Sequence, residues 1–158
     1  MDPELVLALA AGIGFVAGLR SLTAPAAVSW AAHLGWLDLH GSPLGFLGSI
    51  VAVIIFSALA LLEYVADLLP TTPRRTMAGP LSARVVMGGL CGAAVCASGG
   101  RSMLLGALLG GLGGVIGAFA GYQARTRLVQ TLKVKDSIIA VSEDFVAIVL
   151  AWVVVSSH

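Results

Sequence analysis

Stretches of this chain that are apolar enough to cross a lipid bilayer contain four carboxylates: Glu63, Asp67, Glu143 and Asp144. A charge at the bilayer centre costs roughly 2.5–3.5 kcal/mol on insertion scales, so such a residue normally faces a bundle interior or a water-filled cavity and has a partner. Arg20 and Arg84 also lie inside or at the edge of such stretches. The sequence therefore predicts a membrane protein with a polar interior.

The composition argues against a soluble domain. Of 158 residues, 58% are hydrophobic and only 11% are charged, whereas a soluble domain carries about 25% charged residues. The net charge of +1 provides no basic field, so no nucleic-acid partner is expected. Asp2 and Glu4 precede the first apolar run where a signal peptide would be positive, so a cleaved signal is not expected.

The apolar runs predict an all-α, polytopic membrane helix bundle of about five spans, with residues 1–158 as a single integral membrane domain. The first run, Leu5–Trp36, is longer than one span, and Pro25 predicts a break within it. We expect a helix over about 4–20 and a shorter segment to about 36, capped by Ser21 or Thr23. The break is either a kink or the start of a re-entrant piece. The other spans are expected at about 44–69, 80–98, 103–122 (continuing as a polar helix toward 132) and 137–156.

The charges of the loops predict the orientation of the bundle. In the five-span arrangement Arg101 falls on one side, and the other side carries most of the basic residues: Arg74, Arg75, Arg125, Arg127, Lys133 and Lys135. The positive-inside rule then predicts a multi-pass protein of the cell inner membrane, with the N-terminus and these basic segments in the cytoplasm.

Glycines recur at four-residue spacing in the first and fourth spans: Gly14 and Gly18, then Gly106, Gly110 and Gly114, and in a second row Gly113, Gly117 and Gly121. Rows of small residues let helix backbones approach closely in lipid. We expect these glycines to pack helices, with the fourth span central. The alternative is an oligomer contact or an element that moves during transport. A homo-oligomer is expected because five short spans enclose little interior.

Two short matches raise the alternative of an inverted repeat. Residues 13–18 resemble 116–121, and 63–66 resemble 144–147, in the same order. One unit would hold the first two spans and the other the last two, inverted by the span between them, as in many transporters. Chance similarity between segments rich in glycine and alanine is the competing explanation.

Glu63 and Asp67 lie four residues apart and therefore share a helix face. Two like charges there repel unless a cation intervenes, and Arg84, at the same expected depth of the next span, is the natural partner. These three residues form the cluster that the sequence favours most.

The other charged residues of the spans leave more alternatives. Arg20, at the break, is expected to pair with Glu63 or Glu143, or to donate to an anion. Glu143 and Asp144 point about 100° apart on a helix, so one is expected to face the bundle and the other a neighbouring helix or subunit. His33 and His40 have no acidic neighbours in a ligand pattern. We expect no catalytic residues, no metal and no cofactor.

The chain resembles a bacterial family of small integral membrane proteins, the domain of unknown function 4126. The resemblance covers nearly the whole chain and lies in a few segments: Ala17–Pro25, Glu63–Asp67 before Pro70, Pro80 with Arg84, the glycine-rich fourth span, and Glu143 with Asp144. It implies a single-domain membrane protein and transfers no activity and no binding residues.

Two functions follow from the sequence. The first is a small inner-membrane transporter or channel for an ion or small solute, with a pathway formed by the intramembrane charges: Arg20, Glu63, Asp67, Arg84, Glu143 and Asp144. The second is a structural or accessory membrane protein whose buried charges only pin helices and subunits. Neither reading requires enzymatic activity, and the solute is left open.

Overall fold

The computed structural model describes residues 2–67, 76–132 and 136–157, and within these ranges it contains helices and no strand. A short 3-10 helix, Gly45–Gly48, precedes α3, and the α-helices are α1 (Pro3–Leu19), α2 (Thr23–His33), α3 (Ile50–Asp67), α4 (Ala78–Ser98), α5 (Met103–Leu132) and α6 (Asp136–Ser156). The predicted all-α class is confirmed. Arg74, Arg75, Lys133 and Lys135 lie outside the described residues.

Four helices, α3 to α6, are long and apolar enough to cross a membrane, and α1 is a shorter apolar helix of 17 residues. These helices correspond to the five predicted spans. The outer helices α3 and α6 expose large apolar side chains along much of their length, Leu61, Leu62 and Phe145 among them. Large contiguous apolar surfaces are rare on soluble proteins, and in a membrane protein they contact lipid. A polytopic membrane bundle therefore accounts for these exposed faces.

The predicted break in the first apolar run separates α1 from α2, and the chain reverses direction there. Thr23, at the start of α2, has its hydroxyl 2.7 Å from that of Tyr64, near the end of α3. Trp30, further along α2, donates through its indole N–H to Ser57, earlier in α3, at 3.1 Å. α2 therefore runs antiparallel to α3. Asp38, after α2, donates through its N–H to Ser98 at the end of α4, where Val6 of α1 also packs, so the break is a reversal of the chain and not a kink.

The capping expected at the start of α2 is wrong. Leu22 occupies the N-cap position of α2, and its side chain makes no capping hydrogen bond. The Ser21 hydroxyl bonds Glu63 and the Thr23 hydroxyl bonds Tyr64, so neither is directed at the backbone of α2.

Glycine allows three backbones to meet in the core of α1, α4 and α5. A Cβ added at Gly110 of α5 would overlap the carbonyl of Gly88 in α4, and one added at Gly14 of α1 would overlap Gly110 itself. α5 thus lies between α1 and α4, as expected for the glycine-rich span. Most of the predicted packing glycines lie at such approaches, where an added Cβ would meet backbone or Cys96: Gly14, Gly18, Gly106, Gly110, Gly113, Gly114 and Gly117. Gly121 is buried and lines a cleft beside α6.

The helix directions do not fit the inverted repeat. Gly14 lies against Gly110 and Gly18 against Gly114, so α1 and α5 run parallel. An inverted repeat of residues 13–18 and 116–121 would require these helices to be antiparallel. The prediction fails because α2 adds a reversal that a five-span count omits.

Because of the same reversal, the beginning of α1 and Arg125 of α5 lie at opposite ends of the bundle. A Cβ added at Gly99 would lie 2.7 Å from Cγ1 of Val6 in α1. The beginning of α1 therefore lies beside the turn that contains Arg101. Arg125 lies at the opposite end of the bundle, where α1 finishes. The prediction that the N-terminus shares a side with Arg125 and Arg127 is therefore wrong. We call the end of the bundle that contains Arg20 and Arg125 the basic end.

Candidate functional site

Arg20 follows the last residue of α1 and is fully buried. Its Nη1 pairs with Asp67 at the end of α3, and its Nη2 pairs with Asp144 of α6. The guanidinium carbon also lies 5.8 Å from the centroid of the Tyr64 ring, within cation–π range. A cation at the C-terminus of a helix is favoured by the helix dipole. One guanidinium thus joins α1, α3 and α6.

Glu63 of α3 binds the start of α2. Its carboxylate accepts hydrogen bonds from the backbone N–H groups of Ser21 and Leu22, both at 2.9 Å, and from the Ser21 hydroxyl at 2.6 Å. The N-terminus of a helix carries unpaired N–H groups and the positive end of the dipole, so it favours an anion. Glu63 therefore supplies the cap that the sequence assigned to Ser21 or Thr23.

Arg84 donates to two backbone carbonyl groups, one near the end of α1 and one in the first turn of α4. Its Nε donates to the Gly18 carbonyl at 3.1 Å, and its Nη1 donates to the Pro80 carbonyl at 2.9 Å. Its Nη2 lies 4.0 Å from Glu63 Oε1. The expected partnership of Arg84 with Glu63 is present as a long ion pair, while the shorter contacts of Arg84 are with backbone.

Arg125 is the charged residue that the sequence did not assign to the site. Its Nη1 lies 3.7 Å from Asp67 Oδ2 and 4.0 Å from Glu143 Oε2. The sequence predicts Arg125 in a basic cytoplasmic segment, whereas in the structure α5 continues to Leu132 and Arg125 lies against the bundle. The polar helical continuation toward Leu132 was the signal available in the sequence.

The structure brings the six predicted charged residues and Arg125 into one group. We call it the ionic cluster: Arg20, Glu63, Asp67, Arg84, Arg125, Glu143 and Asp144. Arg20 pairs with Asp67 and Asp144, which the sequence did not name as its partners. Glu143 and Asp144 do diverge, one toward Arg125 and the other toward Arg20.

The ionic cluster connects the glycine-packed core to the outer helices. Arg20 and Arg84 belong to, or follow, the core helices α1 and α4, whereas the carboxylates come from α3 and α6. The side chains of the pairs are 0–18% exposed, so the charges interact with little screening by water. No group of three metal-ligating side chains is found within the ranges that the structure covers. The guanidinium and carboxylate groups of the cluster can exchange ion-pair partners.

A cleft lies beside the cluster between α5 and α6, and residues of α1 form its base. Its volume is about 310 Å³. The walls are apolar, with Phe15, Leu128 and Val146 among them, and two cluster residues, Arg125 and Glu143, also line it. We call this the α5–α6 cleft.

A second cavity lies between α2, α3 and α6, and its volume is about 330 Å³. Trp30, Trp36, Tyr64 and Trp152 line it together with small apolar residues. Trp36 and Trp152 meet edge to face with ring centroids 5.0 Å apart, which ties the loop after α2 to the end of α6.

Fold and site together define a class: small polytopic α-helical membrane proteins with a charged cluster buried at a break between helices. The chain belongs to the family described as a domain of unknown function (DUF4126), which matches residues 7–157. The predicted resemblance is thereby confirmed. Neither the curated proteins nor the solved structures contain a match to the chain.

Proposed function

We propose that the protein is a small transporter or channel that moves an ion or a small solute across the inner membrane through the ionic cluster. One observation carries the proposal: Arg20 is fully buried at a break between two helices, between carboxylates from two others. Ionisable residues within membrane spans are rare, and they mark ion pathways, proton relays and substrate sites.

The break itself supports this proposal. Secondary transporters commonly bind solutes at discontinuous helices, where the ends of half-helices present unpaired backbone groups and dipole charge. Here the end of α1 faces Arg84, and the start of α2 faces Glu63. Both helix ends are thus engaged by charged side chains from other helices, which gives the cluster both positive and negative groups for a solute to contact.

The arrangement of helices suggests how a solute would be coupled to movement. The core of α1, α4 and α5 is held by backbone contact at glycines. The ion pairs of Arg20 and Arg125 join α3 and α6 to it, and α6 also packs against it through Ala147 and Ala151. An anion that takes the place of Asp67 or Asp144 on Arg20 would break the ionic contact of α3 or α6 with the core. The proposal therefore assigns the ion pairs as contacts that break and re-form.

We also propose the orientation from the positions of the arginines. Arg125 and Arg127 lie at the basic end, so the positive-inside rule places that end in the cytoplasm. The beginning of α1 then lies on the outer side, opposite to the orientation that the sequence predicted. A homo-oligomer and the absence of enzymatic activity stay predictions.

The second candidate is a structural or accessory role, and the mutual pairing within the cluster favours it. Buried ion pairs fix the packing of helices without adding much net stability. A swap of Glu63 and Arg84 is a poor test of this role, because a guanidinium at position 63 would face the backbone N–H groups that now bind a carboxylate.

The test is a flux screen of ions and small solutes in liposomes, with Glu63→Gln beside the wild type. Glutamine keeps the shape and an acceptor oxygen but removes the charge. Glu4→Gln is the matched control, because Glu4 is exposed in the first turn of α1, away from the cluster. Transport predicts flux that Glu63→Gln abolishes and Glu4→Gln retains, with both variants folded. Absence of flux in the wild type under every gradient, together with a destabilised Glu63→Gln, favours the structural role.

A further inference from the structure

The α5–α6 cleft has the form of a binding site for an amphipathic molecule. It has a volume of about 310 Å³, at the lower end of the range of roughly 300–1,000 Å³ found for ligand pockets. Its lining is almost wholly apolar and comes from three helices, with Phe15 and Leu19 on α1, Leu128 on α5, and Val146 and Leu150 on α6.

The polar residues that line this cleft carry both signs of charge. Arg125 Nη1 and Glu143 Oε2 lie 4.0 Å apart, so the two opposite charges attract each other. Their side chains are 18% and 12% exposed, so both reach the surface of the cleft. Ser142, next to Glu143, adds a hydroxyl to the lining.

We propose that the α5–α6 cleft binds one phospholipid with a phosphate and a primary ammonium in its headgroup, as in phosphatidylethanolamine. Charge complementarity selects this occupant: the phosphate oxygens face Arg125, and the ammonium faces Glu143. A guanidinium suits the fork-like recognition of phosphate, and an ammonium with three donors suits a carboxylate.

The position of the cleft agrees with a lipid rather than a solute from water. Arg125 and Glu143 lie at the basic end, where a headgroup would sit, and the apolar lining extends from there along α6 to Leu150. An acyl chain can enter sideways between α5 and α6, which contact each other far less than α5 contacts α1 or α4. The proposal does not depend on transport, because a lipid could occupy the cleft in a protein of either candidate role.

Native mass spectrometry of delipidated protein in detergent tests the proposal. The wild type is titrated separately with phosphatidylethanolamine, phosphatidylcholine and phosphatidylglycerol. Phosphatidylcholine keeps the positive charge but has no N–H donors, and phosphatidylglycerol lacks the positive charge. We expect one phosphatidylethanolamine to bind more tightly than either of the other lipids.

Two variants locate the site. Ala124→Trp fills the cleft from α5, and Ala58→Trp adds the same ring to an exposed position of α3 outside it. We expect Ala124→Trp to weaken phosphatidylethanolamine binding by about tenfold or more, because the ring occupies the space of the acyl chain. Ala58→Trp should bind as the wild type does. Glu143→Gln should remove the preference for phosphatidylethanolamine over phosphatidylglycerol.

Either of two results would overturn the proposal. One is equal lipid binding by Ala124→Trp and Ala58→Trp, which would locate the lipid elsewhere. The other is wild-type binding of phosphatidylglycerol or phosphatidylcholine as tight as that of phosphatidylethanolamine, which would remove the role of the paired charges. The wild-type comparison needs no variant, so it decides the headgroup question even if Glu143→Gln fails to fold.

Discussion

Replacing one glycine of α5 by alanine tests the backbone contact in the core. A Cβ at Gly110 would overlap the carbonyl oxygen of Gly88 and lie 2.9 Å from its carbonyl carbon and 3.1 Å from Gly92 Cα. Non-bonded carbon atoms prefer about 3.5–4.0 Å. All three atoms are backbone, so no side chain can rotate away and α4 must move. Because α5 also touches Gly14 of α1, the movement cannot be absorbed on the other side.

The neighbouring glycine provides the control. A Cβ at Gly111 would meet Val85 at 3.6 Å, which is ordinary contact. Both substitutions gain the same helix propensity, so that gain cancels in a comparison of the two variants. The difference is then the overpacking cost, about 1–3 kcal/mol. We expect Gly110→Ala to be less stable than Gly111→Ala by this amount.

Unfolding by sodium dodecyl sulfate from dodecyl maltoside micelles, followed by far-UV circular dichroism, measures the difference. A smaller free energy of unfolding for Gly110→Ala than for Gly111→Ala supports the close approach of α4 and α5. Equal free energies of unfolding would refute it, because two alanines one residue apart would then meet the same surroundings.

Two further predictions concern the ends of the helices. Cysteines introduced at Glu4 and Arg127 should react with a membrane-impermeant maleimide from opposite sides of the membrane, with Glu4→Cys labelled from outside in intact cells; the two native cysteines are buried and add little background. Labelling of both from one side would contradict the reversal between α1 and α2. Ser21→Ala should lower the free energy of unfolding by about 1.5–3 kcal/mol, because it removes the hydroxyl that donates to Glu63 at 2.6 Å. Ser21→Thr, which keeps the donor, should lose less, and an equal loss would argue against that bond.

The sequence was sufficient to locate the long apolar helices and six of the seven residues of the ionic cluster. Hydropathy over about 20 residues identifies membrane helices, since every backbone polar group must be satisfied inside the segment. The cost of burying charge identifies residues such as Arg20 and Asp144 as members of a polar interior. Both arguments need only local information, which is why they succeeded.

The reversal after α1 could not be predicted from the sequence, for a physical reason. Proline at position 25 breaks the hydrogen-bond ladder but does not fix the direction in which the chain continues. The direction follows from the hydrogen bonds of Ser21 and Leu22 to Glu63, which lies 42 and 41 positions further along the chain, respectively. The expectation that the N-terminus shares a side with Arg125 and the inverted repeat both depended on this one direction, so the structure contradicts both.

The pairing within the cluster required the same long-range information. Arg20 was correctly placed near several carboxylates, but its choice of Asp67 and Asp144 depends on how α3 and α6 pack around α1. Arg125 was missed because a basic residue after an apolar span resembles a loop charge. Only the packing of α5 beyond Tyr122 shows that this residue faces the bundle.

The central claim is that the ionic cluster is a pathway and not only a set of packing contacts. Flux across liposomes tests it most directly, when measured for the wild type and Glu63→Gln at a temperature where circular dichroism shows both folded. The account predicts a solute or ion whose flux is lost in Glu63→Gln and unchanged in Glu4→Gln. Equal flux through wild type and Glu63→Gln would contradict it.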